Sequence, residues 1–177
     1  MGHEKLFPDD RMTKRERVEA TLAHAAVDRV PILEQLSYNP GVIALYTGKP
    51  IRGFDYTVDD VCEVIRRTTD LAMPPVAPRG TERHTDADGF VWQNDNWTTW
   101  HVSRPFDDPA GAREWLLRVT ERRRDAPFDA EAARARYCAE MQALQEKIGE
   151  TVILHYSGTG MCAAWSAMGL EIFSYFY

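Results

Sequence analysis

Three polar side chains, Glu34, Gln35 and Tyr38, directly follow a predicted strand that begins at Val30. In α/β proteins the loops after parallel strands carry many of the residues that bind substrates. A carboxylate at this position can act as a general base or orient a substrate, or it can simply pair with a neighbouring cation. We therefore take Glu34 as a candidate catalytic residue, and Gln35 and Tyr38 as candidate substrate-binding residues.

A second candidate group lies at the end of the apolar run 151–156, TVILHY. His155 can exchange protons near neutral pH or bind a metal, although a lone histidine in an apolar strand also fits a hydrogen-bonded core role. The SGTG turn that follows lacks GxGxxG and a Walker lysine, so a tight strand-to-helix turn is favoured over a phosphate-binding loop. We take His155 as the second catalytic candidate, with Ser157 and Thr159 as substrate-binding candidates.

Tryptophans stand out in the segment 81–106, whose composition predicts two or more antiparallel strands. Trp92, with Trp97 and Trp100, either lines the mouth of an apolar substrate pocket or covers a core. Trp92 is kept as a substrate-binding candidate.

Metal-binding patterns are weak in the same segment. Asp86-Ala87-Asp88-Gly89 resembles part of a calcium loop, but the third acidic position and the closing Glu are missing, so a hairpin turn is favoured. His84 and His101 have no partner at ligand spacing. We therefore predict no metal ligand in the chain.

The composition sets limits on partners. A formal net charge of −6 over 177 residues argues against nonspecific nucleic-acid binding, and the run Arg122-Arg123-Arg124 fits a solvated helix end better than an anion site. The chain opens with no secretory signal, and its apolar stretch 161–177 contains Glu171. Three widely separated cysteines suit a reducing compartment. We expect a cytoplasmic protein that binds neither nucleic acid nor membrane.

Helix and strand patterns alternate along the chain, which favours the α/β class. Thr13 with Glu16, and Thr57 with Asp60, are capping boxes that start two helices, the second predicted to run from Asp59 to about Ala72. The first helix carries an apolar stripe of Val18, Leu22 and Ala25 and leads into the strand 30–33. Glycine and proline at Asn39-Pro40-Gly41 and at Gly48 bracket a predicted short helix, and Asp108-Pro109 starts another that runs through Trp115, Leu116 and Val119. Helical spacing before Gly149 predicts a third, with Ala133, Tyr137, Met141, Leu144 and Ile148. A last helix is predicted from the apolar stripe Met161, Trp165, Met168, Ile172 and Phe176.

Three stretches carry a family resemblance: MTKRERVEATLAHAAVDRVPI from Met12, DADGFVW from Asp86, and the strand-loop-helix from Val152 onward. They resemble the uroporphyrinogen decarboxylase superfamily, which includes the methylcobalamin:coenzyme M methyltransferases. The resemblance implies a TIM barrel, and a closed (β/α)₈ barrel typically needs about 250 residues. The expected fold is thus α/β, the N-terminal portion of a partial TIM (β/α)₈ barrel with an antiparallel hairpin excursion. Residues 1–177 are then the N-terminal part of a single domain, which we expect to be truncated within its last helix.

The resemblance leaves two chemistries open. The decarboxylases carry an arginine-rich loop, MRQAGR, after the first strand, whereas the corresponding stretch 36–48 here is LSYNPGVIALYTG and has no arginine. Substrate acetates would lack their cationic partners, so a corrinoid-linked methyltransferase acting on a thiol-type acceptor is favoured. The alternative is uroporphyrinogen decarboxylase, a carboxy-lyase of porphyrin and heme biosynthesis. A third alternative is an inactive fragment or interaction module.

Cofactor and partner expectations follow from the same resemblance. In the methyltransferases the zinc ligands, a His and two Cys, lie in the C-terminal half of the barrel, so this chain is expected to hold no cofactor and to be inactive alone. The expected partners are a small-molecule substrate and a corrinoid protein, and a homodimer is left open.

Overall fold

The computed structural model describes residues 6–34, 39–96, 98–155 and 160–176. Its helices are α1 Lys14–Leu22, α2 Pro40–Thr47, α3 Val58–Thr68, α4 Pro109–Asp125, α5 Ala130–Ile148 and α6 Met161–Ser174. Its strands are β1 Leu33–Glu34, β2 Leu71–Ala72, β3 Thr81–Thr85, β4 Val91–Asp95, β5 Thr98–Ser103 and β6 Val152–Ile153. The chain divides into two compact units, residues 1–78 with 130–155 and residues 79–129 with 156–177.

The first unit contains a parallel sheet in the order β1-β2-β6. Leu33 is in register with Leu71, and Leu71 with Val152. Successive parallel strands therefore lie side by side in chain order, as they do in a (β/α)₈ barrel. The strands within the described ranges form no closed barrel, so the partial barrel remains a prediction.

The core of the first unit lies on the helix-facing side of this sheet. Ile43 of α2, Val64 and Ile65 of α3, and Ile148 of α5 are buried almost completely and pack together with Ala72 of β2. The opposite face is open, since Leu33 is 45% exposed and Leu154 is 39% exposed. The sheet is thus covered on one side by helices and carries exposed apolar residues on the other.

Helix boundaries follow the local signals closely. Both predicted capping boxes are confirmed, with Thr13 accepting from the Glu16 amide and Thr57 from the Asp60 amide. The caps at Asn39 and Asp108, each followed by proline, are also confirmed. Each of these interactions spans no more than three residues.

The predicted end of α3 is wrong. The helix stops at Thr68, and Leu71 and Ala72, which the predicted range included, form β2 instead. The Asp70 and Leu71 amides donate to the Ile32 carbonyl at 2.9 and 3.0 Å, which turns the chain into the sheet. This pairing joins residues nearly forty positions apart, so helical periodicity does not register it.

Two predicted strands are shorter than expected. Val30 is 79% exposed and β1 begins only at Leu33, because Pro31 has no N–H for a strand ladder. In the run 151–156, β6 comprises Val152 and Ile153, both half-buried, and His155 is exposed. The apolar stripe of α1 is likewise reduced, since Val18 is buried but Leu22 is 76% exposed.

The second unit contains the antiparallel sheet β3-β4-β5, which confirms the predicted excursion. Its β3-β4 turn is the hairpin expected at Asp86–Gly89: the Asp86 carboxylate accepts from the Asp88 and Phe90 amides at 2.9 and 3.0 Å. Phe90 packs with Phe106 and with Trp115 of α4 in the core of this unit. Arg122 and Arg123 of the basic run bind the Asp88 carboxylate, so the exposed end of α4 stabilises the hairpin.

Helix α6 is kinked at Gly169, which has φ 76° and ψ 158°, a conformation essentially restricted to glycine. Arg104 Nε donates at 2.9 Å to the Ala167 carbonyl beside the kink. The kink rotates the residues on its two sides relative to each other, and the predicted continuous stripe is therefore wrong: Met168 is buried, whereas Met161 and Phe176 are 55% and 44% exposed. Within the described residues we find no helix that combines the length and the apolarity needed to cross a membrane.

A buried ion cluster ties α1 to the amino-terminal ends of the parallel strands. Arg17, fully buried, contacts Asp28 before β1 at 2.7 Å, Asp70 before β2 at 2.5 Å and Asp10 at 2.9 Å. Arg29 joins Asp10 and Asp70 from the other side, at 2.8 and 2.6 Å. Two arginines thus share three carboxylates, and the bonds to Asp70 join segments that are more than 40 positions apart in sequence.

Two carboxylates of this cluster, Asp28 and Asp70, have lowered pKa values. Hydrogen bonds from the Arg17 guanidinium, together with the Met12 and Arg11 amides, hold the pKa of Asp28 far below its ordinary value. Burial alone would raise the pKa of Asp70, but the hydrogen bonds from Arg29 and the Ile32 amide outweigh it and lower the pKa. The bonds to Asp28 in turn raise the pKa of Arg17. A charged and fully bonded cluster of this kind is costly to break by removing one member.

We expect Arg17→Met or Asp70→Asn to lower the free energy of unfolding of the first unit by about 3–5 kcal/mol, because either change leaves buried charges unpaired. Urea denaturation of each variant checks this. The matched control is Arg15→Gln on the same helix, whose partner Glu19 lies 3.8 Å away at an exposed position and whose loss is expected to cost less than about 0.5 kcal/mol. Equal effects of Arg15→Gln and Arg17→Met would contradict the role of the cluster.

Candidate functional site

The carboxyl ends of the three parallel strands form one edge of the first unit's sheet. Glu34 ends β1, Ala72 ends β2, and Ile153 ends β6, followed by Leu154 and His155. Glu34 and His155, the two catalytic candidates, thus follow strands whose carboxyl ends lie at the same edge. In barrel enzymes this edge carries the chemistry, and the opposite edge carries stability.

Glu34 and His155 are separated by the central strand. Neighbouring strands lie about 4.8 Å apart, so β1 and β6 are roughly 10 Å apart across β2. Glu34 is in register with Ala72 and Ala72 with Ile153, and His155 lies two residues further along the chain. At this separation the two side chains can act together only through a substrate that lies between them.

The register also places Glu34 on a particular face of the sheet. Residues in register on parallel strands share a face, and Ala72 and Ile153 pack with the helix-covered core. Glu34 is half-buried at the last position of this row. Its carboxylate therefore leaves the sheet on the side of the helices, at the rim where the strands end.

His155 is exposed, and its ring packs edge-on against Tyr137 of α5, with 5.2 Å between ring centroids at an angle of 69°. Because α5 belongs to the helix layer, this contact gives His155 a packing partner there. The contact favours a packing role for His155. The catalytic assignment of His155 stays a prediction.

Four of the substrate-binding candidates, Gln35, Tyr38, Ser157 and Thr159, lie outside the described residues. In sequence they follow β1 and β6. Their assignment remains a prediction.

Trp92, the remaining substrate-binding candidate, takes part in packing within the second unit. Its indole Nε1 donates to Asp86 at 2.8 Å, and its ring stacks on His101 with 4.3 Å between centroids and 9° between planes. The hairpin turn and the stack both hold this side chain in place. The contacts favour the covering of a core over the lining of a pocket, while Trp100 is 61% exposed and Trp97 is not among the described residues.

The sequence assigns no role to His101, because it has no neighbour at the spacing of metal ligands. Its ring contacts both Trp92 and Phe90, with centroid distances of 4.3 and 4.8 Å. Within the described part of the chain its buried Nε2 has no hydrogen-bond partner. Burial, together with the nearby Arg104, lowers the pKa of His101 below its ordinary value of 6.5, against the opposing effect of Asp86.

We expect the second unit to lose stability as the pH falls below about 6.5, the pKa of an unperturbed histidine. Below this pH, His101 is protonated in the unfolded state but stays neutral in the folded state, which favours unfolding. The stabilisation from neutral His101 is therefore fully present above pH 6.5. Denaturation midpoints at pH 7 and pH 5 measure this loss. His101→Phe keeps an aromatic ring on Trp92 and should flatten the pH dependence, whereas His84→Phe at an exposed position should leave it unchanged. The same pH dependence of stability in wild type and His101→Phe would contradict this role of His101.

Metal ligation was tested on the described residues, among which no three His, Cys, Asp or Glu side chains form a group suited to a metal ion. Cys62 is buried in α3, whereas Cys138 of α5 and Cys162 of α6 are exposed, and all three are free. The residues described here do not fit the His and two Cys of the methyltransferase zinc site.

The strongest electrostatic features lie at the amino-terminal edge of the sheet, away from Glu34. Besides the Arg17 cluster, Lys14 of α1 donates to the Arg66 carbonyl at 2.6 Å and to Thr151 Oγ1 at 2.8 Å. Burial lowers the pKa of Lys14 to about 8, partly offset by Asp70 and Glu150. Sequence reasoning missed Lys14 and Arg17 because a charged residue in a capped helix ordinarily faces water.

Comparison of the chain with family models, curated proteins and solved structures finds no match. The resemblance to the uroporphyrinogen decarboxylase superfamily therefore rests on the three stretches quoted from the sequence.

Proposed function

We propose that this chain forms the N-terminal part of a uroporphyrinogen decarboxylase-like barrel whose full-length protein moves a methyl group from a corrinoid protein to a thiol-type acceptor. The parallel strands in chain order support the barrel. So does the position of α1, which is bonded to the residues before β1, β2 and β6. This arrangement closes the amino-terminal edge and leaves the carboxyl ends for a substrate, as in barrel enzymes.

The observation that carries the choice of chemistry is the absence of arginine and lysine from the stretch 36–48 that follows β1. The described part of that stretch is α2, Pro40–Thr47, whose residues are apolar apart from Tyr46 and Thr47. Recognition of several carboxylates on one substrate calls for arginine or lysine, because unpaired carboxylates are costly to desolvate. Uroporphyrinogen decarboxylase accordingly remains the alternative.

Glu34 is the residue of this chain that we place in the reaction. A thiol becomes nucleophilic only as the thiolate, so a carboxylate beside it can accept the proton or hold the acceptor in line. Glu34 lies half-buried at the rim of the strand ends, which suits either task. In this proposal His155 contributes to the wall of the same substrate cavity.

The proposal places the protein in the cytoplasm. Its three cysteines are free, and Cys62 is buried in a core without a disulfide partner. Reduced thiols of this kind suit a reducing compartment. A thiol acceptor and a reduced corrinoid partner also suit such a compartment.

We expect the full-length protein that carries this chain to transfer methyl groups from methylcobalamin to a small thiol. The variant Glu34→Gln should lower kcat at least about a hundredfold, because loss of a general base usually has an effect of this size. Loss of methylcobalamin absorbance follows the reaction. Glu140→Gln, at an exposed position on α5, is the matched control and should retain activity. His155→Asn should raise KM more than it lowers kcat if its role is confined to the cavity wall.

The same protein incubated with uroporphyrinogen decides between the two chemistries. Stepwise loss of substrate carboxylates without methyl transfer would replace the proposal by the decarboxylase alternative. Activity that is unchanged in Glu34→Gln would remove Glu34 from the reaction.

Residues 1–177 alone should neither bind zinc tightly nor turn over, which is the expectation shared with the fragment or interaction-module alternative. Within the described residues β1 and β6 each pair on one side only, and open parallel edges favour association. Zinc titration with metal analysis of the purified chain tests this. Stoichiometric, tight zinc in a cooperatively unfolding chain would contradict it and mark residues 1–177 as a complete domain.

A further inference from the structure

A cleft of about 650 Å³ opens in the first unit, at the edge of the sheet opposite Glu34. It lies between the segment before α1, the start of α1 and the carboxyl end of α3. Its volume falls within the range of about 300–1,000 Å³ that is usual for small-molecule sites. The function proposed above does not use this cleft.

The lining of the cleft is cationic in an acidic protein. Five lining side chains are basic and two are acidic, while the whole chain carries −6. The basic residues are Arg11, Lys14, Arg29, Arg66 and Arg67, and the acidic residues are Asp10 and Glu150. A local reversal of charge inside a concave surface concentrates anions from solution.

Two of these cations have partners that an anion can replace. Arg66 and Arg67 are 47% and 37% exposed and pair with Glu63 one turn back on α3. Exposed pairs of this kind are worth less than about 1 kcal/mol, so a phosphate can compete for both guanidinium groups. Arg29 differs, because Asp10 and Asp70 already hold it at 2.8 and 2.6 Å.

Lys14 removes the feature that would otherwise repel an anion. The last carbonyls of a helix carry partial negative charge, and α3 ends at this cleft. The Lys14 ammonium covers that end by donating to the Arg66 carbonyl at 2.6 Å and the Ile65 carbonyl at 3.4 Å. The helix end is thereby neutralised and the neighbouring guanidinium groups set the local potential.

The cleft also has an apolar side. Leu6, Phe7, Met12 and Tyr46 line it together with the cations. Phe7 packs under Arg29, whose guanidinium carbon is 4.0 Å from the ring centroid. Inorganic phosphate alone would leave this surface exposed to water, whereas a ligand with an apolar body would cover it.

We propose that this cleft binds a small organic phosphate, with the phosphate on Arg66 and Arg67 and an aromatic or aliphatic body against Phe7 and Tyr46. The site lies at the edge of the sheet that α1 closes, so it is a ligand site separate from the substrate cavity proposed at the strand ends. It holds or fails independently of the methyl-transfer proposal.

Isothermal titration of the chain with phenyl phosphate tests the site, with inorganic phosphate and phenol as the two partial probes. We expect phenyl phosphate to bind at least about tenfold more tightly than either, since both halves of the cleft contribute, a difference of 1.4 kcal/mol. The double variant Arg66→Gln/Arg67→Gln should weaken binding about tenfold or more. Glu63→Gln should tighten it, because the competing carboxylate is removed.

The matched control is Arg134→Gln/Arg136→Gln, which removes two exposed cations from α5 of the same unit and should leave the affinity unchanged. Circular dichroism of every variant confirms that each one folds. Equal weakening by the control pair would reduce the effect to net charge and overturn the site. Weakening by Glu63→Gln, or binding of inorganic phosphate as tight as that of phenyl phosphate, would also overturn it.

Discussion

The buried pairing of Arg17 with Asp28 and Asp70 is the interaction on which the first unit depends. Its three parallel strands have two residues each, too few for ladder hydrogen bonds to define their arrangement alone. The Arg17 guanidinium joins the segments before β1 and β2, and Asp70 also accepts from the Ile32 amide at 2.8 Å. Charge pairing at the strand origins thereby supplies the alignment that short strands lack.

The two edges of the sheet differ in how they are covered. The amino-terminal edge is covered by α1, whose Arg17 and Lys14 are bonded to the segments before the strands. The carboxyl edge holds Glu34 and leads into both groups of predicted substrate-binding residues. Barrel enzymes show the same difference, with stabilising residues at the amino-terminal edge of the sheet and functional residues at the carboxyl edge. The proposed phosphate site lies at the opposite edge from Glu34, between α1 and α3.

The second unit has its own fixed point at the β3-β4 hairpin. Asp86 accepts from two backbone amides and from the Trp92 indole, while Asp88 receives Arg122 and Arg123 from α4. Trp92 and two arginines of the basic run are thus both bound to this one turn. Stacking on Trp92 also brings His101, a titratable group, into the packing of this unit.

The sequence by itself determined the features that depend on neighbours along the chain. The capping boxes at Thr13 and Thr57, the proline starts of α2 and α4 and the hairpin turn at Asp86–Gly89 each involve groups within four residues, so residue type and spacing suffice. The class α/β and the antiparallel excursion follow from the order of these local elements. Of the candidate site, only the position of Glu34 and His155 after two strands was visible in this way.

The tertiary structure decided the features that join distant segments. Arg17 meets Asp70 across 53 positions. The amides of Asp70 and Leu71 donate to Ile32 and bring β2 beside β1, and His155 packs against Tyr137 of α5. The cationic cleft arises in the same way, from α1 and α3 brought together. In each case the energy comes from burial and charge pairing between segments whose separation leaves no periodic signal in the sequence, so only the folded chain reveals them.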